Sequence, residues 1–149
     1  MYNKLAFKFK SFLIKENSSY QDKLIQELHQ EHKNLFELYT KIINETNPKK
    51  RLNLLKKFYY DYHLHILKED KQLYSYLLVK YKFVVEKHEF IKQKQEEMKN
   101  ITTFIENFAK KYSTIDSIQT ENFEKDLNIL GEALTKRVEF EEKELYSFY

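Results

Sequence analysis

The sequence predicts an all-α fold, an up-down-up-down four-helix bundle with a short N-terminal arm, and three observations carry that prediction. Gly131 and Pro48 are the only glycine and proline in 149 residues, far too few turn residues for a β-rich chain of this length. Apolar residues recur at three- and four-residue steps through four long segments. The breaks between those segments are short, which makes consecutive helices antiparallel neighbours.

The first helix is expected from Ser18 or Ser19, either of which can cap it, to about Asn44. In the ETNPKK stretch Asn47 can cap and Pro48 suits a first helical position, so a second helix starts there and runs to about Val79. The next break carries no Gly or Pro and is placed at Lys80–Lys82. A third helix extends to about Tyr112. STIDSIQT is rich in Ser, Thr and Asp and reads as a loop. A fourth helix runs from about Glu121 almost to the end. Residues 18–149 thus form the bundle, and residues 1–17 an arm whose LAFKFKSFL either packs across one bundle end or stays unstructured.

Composition narrows the function. There is no cysteine, so any metal must be held by nitrogen and oxygen donors. The 26 basic and 23 acidic residues are interleaved and net to +3, a mixed solvated surface and not a nucleic-acid footprint. No apolar run approaches the ~20 residues of a membrane span. The start of the chain is a poor signal peptide, and a cytoplasmic location is expected.

The inward stripes are Leu24, Leu28, His32, Leu35, Tyr39 and Ile42; then Leu55, Tyr59, Tyr62, His65, Ile66, Glu69, Leu73 and Tyr76; then Val84, His88, Ile91, Gln95, Met98, Ile101, Ile105 and Phe108; and finally Phe123, Leu127, Leu130, Leu134, Arg137, Glu141, Leu145 and Phe148. Gln95 aside, each stripe is apolar or aromatic except at one place, where it carries His32, His65 with Glu69, His88, or Arg137 with Glu141. Counted from the connections at ~1.5 Å per residue, facing pairs agree in height within about 5 Å, so these six side chains are expected to share one layer. A lone histidine on an apolar stripe is ordinarily a satisfied core residue. Three at one level with two carboxylates call for another account. Buried carboxylates need a positive counterpart, either a metal cation or a proton- and arginine-bridged network. Spacing of i and i+4 puts His65 and Glu69 on one face, able to grip a common ion. His29 and His63 fall off the stripes. Asp70, Glu142, Lys71 and Lys143 are expected to face outward, with Tyr74 and Tyr146 packed near one end.

The frame itself is doubled: HILKEDKQLY at 65–74 returns as RVEFEEKELY at 137–146. This ordered set resembles the hemerythrin-like (HHE cation-binding) family over about residues 20–149. The resemblance implies metal ligation by His32, His65, Glu69, His88 and Glu141. It also implies a non-haem di-iron centre and roles in oxygen binding, iron or oxygen sensing, or responses to nitric oxide or peroxide. The helix 4 histidine of the family pattern is Arg137 here, which cannot ligate a cation. Lys92 stands one turn past His88, where many oxygen-carrying relatives place a further histidine. The expectation is therefore a reduced or single-metal iron site that senses or buffers oxygen, iron or another small ligand, without enzymatic activity. Arg137 either points past the site, or pairs Glu69 and Glu141 in a metal-free bundle that acts as an interaction module through Lys8, Phe9, Lys10 and Phe12. A ferritin-like oxidase is disfavoured because the Glu-x-x-His pairs of that site are missing.

Overall fold

A computed structural model of the chain describes residues 23–149. The arm at 1–17 and the expected caps Ser18 and Ser19 lie outside the described residues. The four rods are as expected: helix α1 (Lys23–Asn44), α2 (Pro48–Lys68) continued through a π-helical turn into the short α3 (Ser75–Lys80), α4 (Val85–Lys111), and α5 (Glu121–Phe140) continued by a second π-helical turn. There is no strand among the described residues.

Local chemistry sets the starts. The Asn47 side chain accepts the Lys50 amide at 3.0 Å and Pro48 opens α2, so the first turn loses nothing by lacking a proline N–H. Thr120 caps α5 by accepting from the Phe123 amide. The unmarked break falls at 81–84, where Tyr81 takes backbone angles of −106° and 17° and no side chain caps α4. Near the middle of α5 the Tyr39 hydroxyl fills the space that a Cβ at Gly131 would need. It donates to the Leu127 carbonyl at 2.9 Å, which accounts for the single glycine.

The two π turns are the doubled frame. They span Glu69–Tyr74 and Glu141–Leu145, and the amides of Ser75 and Tyr146 donate five residues back, to the carbonyls of Asp70 and Glu141. A π turn inserts one residue into an otherwise α-helical rod, so the inward stripe slips by one position. Tyr76, expected inside, is 46% exposed, while Leu77 is fully buried in its stead. Val84, also expected inside, is exposed at the helix boundary.

The core is divided. Leu35, Tyr39, Leu55, Phe58, Phe108, Phe123 and Leu130 belong to an apolar cluster toward the α1–α2 turn. Leu28, Leu73, Leu77, Ile91 and Leu145 belong to a second cluster toward the opposite end. Between them lies a buried polar layer.

Candidate metal centre

His32 on α1, His65 at the end of α2, Glu69 and Glu141 at the starts of the two π turns, and Arg137 one turn before Glu141 are all buried. One donor atom from each of His32, His65, Glu69 and Glu141 lies within 4.8 Å of the others. The i, i+4 spacing aims each frame's first residue and its glutamate at the same volume.

The imidazoles are held from behind. Nδ1 of His32 meets Glu142 Oε1 at 2.9 Å, and Nδ1 of His65 meets Glu31 Oε1 at 3.1 Å. Ionised carboxylates only accept, so each Nδ1 carries the donated hydrogen and each Nε2 is turned inward. There, His65 Nε2 stands 2.7 Å from Glu69 Oε1, and His32 Nε2 stands 3.0 Å from Glu141 Oε2 and 3.6 Å from Glu69 Oε1. His65 Nε2 and Glu141 Oε2 are buried without a hydrogen-bond partner despite these approaches. An imidazole Nε2 lone pair facing a carboxylate oxygen at 2.7 or 3.0 Å needs a cation between the two, a proton or a metal.

Arg137 holds the other side of the same carboxylates. Its Nε donates to Glu141 Oε1 at 2.8 Å and its Nη2 to Glu69 Oε2 at 3.1 Å. Nη1 donates to the Tyr62 hydroxyl, the Thr102 hydroxyl and the Met98 carbonyl at 2.9, 2.9 and 3.2 Å. Of the two positions anticipated for Arg137, this is the one that pairs Glu69 and Glu141.

The titrations follow from these contacts. Burial opposes charge on His32, but contacts with Glu141, Glu142 and Glu69 more than offset it and raise the imidazole well above its usual value. His65 is raised too: burial is outweighed by the charge of Glu69 and the bond to Glu31. Burial would push Glu69 up, yet His65, His32 and Arg137 together hold it well below the ordinary carboxylate range. Glu141 is raised by burial and by repulsion from Glu69. Burial alone would raise Glu142, and its bonds to His29 and His32 bring it below its usual value.

His88 does not join the layer. Its side chain is 28% exposed and its Nδ1 lies 3.8 Å from Glu89. It sits in the first turn of α4, whereas Met98 and Thr102 are the α4 residues that reach Arg137. That places His88 about 15 Å too far along the axis at ~1.5 Å per residue. Ile91, one turn on, belongs with Leu77 to the end cluster. The count from the connection failed because the turn runs to Val84 and α4 starts only at Val85, which leaves His88 four residues past the turn while Glu69 lies about eleven before it.

Glu142, expected outside, is 5% exposed, whereas Tyr146 packs in the end cluster as expected and its hydroxyl also reaches the layer. The Tyr146 hydroxyl donates to Glu69 Oε1 at 3.3 Å and lies 3.4 Å from His32 Nε2. Glu142 lies within the π turn at Glu141–Leu145 and Tyr146 directly follows it. His29 stays at the boundary, its Nδ1 2.8 Å from Glu142 Oε1, and His63 is exposed. Glu31 drew no notice in the sequence because it belongs to no stripe. Its one signal is that it lies one residue before His32.

Among the described residues no helix is long and apolar enough to cross a membrane. The family model described as hemerythrin HHE cation binding domain matches residues 23–149. No curated protein and no solved structure matches the chain. The chain belongs to the hemerythrin HHE cation-binding family.

Proposed function

We propose that this member of the hemerythrin HHE family holds non-haem iron through His32, His65, Glu69 and Glu141 and serves as a binding protein. Its role would be to sense or buffer iron, dioxygen or another small ligand, without enzymatic turnover. The observation that supports this reading is the pair of inward Nε2 atoms, each backed by a carboxylate and each facing a carboxylate oxygen at 3.0 Å or less. Outer carboxylates that fix the tautomer of an imidazole are what a metal-ligating histidine needs. Two imidazoles with two carboxylates suit divalent first-row ions, iron among them. Iron bound there would supply redox chemistry and affinity for small ligands. The chain's own residues position the donors, exclude water from the layer, and balance charge through Arg137. His88 has no part in this set.

Arg137 favours one competing reading, a metal-free bundle that acts as an interaction module. It already supplies a cation to both carboxylates, and the protons on the imidazoles could supply the rest.

Anaerobic loading with ferrous iron, followed by removal of free metal and elemental analysis, separates the two. The iron reading expects retained iron that His65→Leu abolishes, and a melting temperature that falls on chelation. Protein that retains no iron and melts identically with or without chelator establishes the metal-free reading.

A further inference from the structure

The donor set does not fit two ions. Each glutamate has two oxygens, and the layer divides them. Glu69 Oε1 and Glu141 Oε2 face the imidazoles, while Glu69 Oε2 and Glu141 Oε1 are taken by the guanidinium. The two carboxylates therefore bridge two positive positions, one between the histidines and one filled by Arg137. On the Arg137 side the remaining oxygens, from Tyr62, Thr102 and Met98, already accept from Nη1. No imidazole is there, because α4 brings Met98 and Thr102 to this level and leaves His88 near its start. A guanidinium carries fixed charge and no free lone pair, so it cannot ligate a second ion and repels one.

We propose that Arg137 is a built-in substitute for the second cation of the centre and limits this chain to one divalent ion. The inference rests on the metal reading above and adds the ion count and the residue that sets it. Charge is consistent with it. One divalent ion and Arg137 oppose Glu69, Glu141 and the buried Glu142, three positive charges against three negative, whereas a second divalent ion would leave an excess inside the bundle.

The test uses the full chain and Mn(II) as probe. Anaerobic equilibrium dialysis with elemental analysis should find one Mn(II) per chain, with the six-line electron paramagnetic resonance spectrum of an isolated ion. Arg137→His replaces the fixed cation by a neutral donor and should double the count to two, with the spectrum broadened by coupling between neighbouring ions. Arg137→Lys keeps the charge and should hold the count at one. Two ions in the wild-type chain overturn this inference while leaving the metal reading intact, and that result needs no variant to fold. A single ion in well-folded Arg137→His overturns the role given to Arg137. No ion in the wild-type chain overturns the metal reading itself.

Discussion

The two copies of the frame, 65–74 and 137–146, share a backbone and divide the chemistry. In each, the first residue and the glutamate one turn later point into the same buried layer, a π turn follows, and a Leu-Tyr pair closes the frame inside the core. The first copy opens with a donor, His65, and the second with a cation, Arg137. The first sends Asp70 to the half-exposed boundary, while the second buries Glu142 behind His32. Tyr146 reaches Glu69 and His32, whereas the Tyr74 hydroxyl is buried without a partner. Repetition of a backbone device thus leaves each side chain to be judged by what faces it.

Matched substitutions at equivalent positions break or sharpen this contrast. The largest effect is expected at the opening position. Arg137→Met leaves two buried carboxylates without their fixed cation and should cost the metal-free protein about 3–5 kcal/mol. His65→Leu should cost about 1–3 kcal/mol, since it removes hydrogen-bonding partners but no permanent charge. Urea unfolding without metal measures both, and equal losses would erase the distinction drawn between them.

A pH titration separates the donor from the cation. Because the folded-state pKa values of His32 and His65 are raised, their stabilisation of the metal-free protein is complete below about 6.5, the unfolded value. It is lost as pH rises through the raised values. Metal requires neutral imidazole, so affinity should climb with pH over the same window, about tenfold per unit for each proton released. Calorimetry in buffers of different ionisation heat counts those protons, and affinity unchanged between pH 6 and 8 would contradict the protonation assigned here.

At the sixth position, Glu142→Gln removes the buried charge that holds His29 and His32 and should cost about 1.5–3 kcal/mol. Asp70→Asn, at the half-exposed counterpart, should stay within about 0.5 kcal/mol. The smallest contrast lies at the closing tyrosines. Tyr146→Phe should lose about 1 kcal/mol with its hydrogen bonds, and Tyr74→Phe should lose nothing, since it removes a buried hydroxyl that no partner satisfies. Thermal melts of the two variants check the sign.

Much of this was legible in the residues. Scarce Gly and Pro, Asn47 before Pro48, and the STIDSIQT loop set the four rods, and the α1 stripe is buried as expected from Leu24 to Ile42. His32, His65, Glu69, Arg137 and Glu141 stood out because each interrupts an apolar stripe, and they do share one layer. His88 misled because a height counted from a connection inherits every error in the length of that connection. Tyr76 misled because a strict 3.6-residue period cannot anticipate an inserted residue, and Glu142 because its sequence alone did not show that His29 and His32 face it.

Periodicity, caps and residue chemistry are properties of local sequence, and they determined the helices, their buried faces and the presence of ionisable groups among apolar ones. Packing decided the rest: where the π turns fall, which α4 residues reach the layer, and that Glu31 and Glu142 stand behind the histidines while Arg137 takes the far oxygens of both carboxylates. These depend on the axial register and rotation of rods whose facing side chains lie far apart in the sequence. Only side chains meeting across that distance, with each buried charge requiring a partner, fix it.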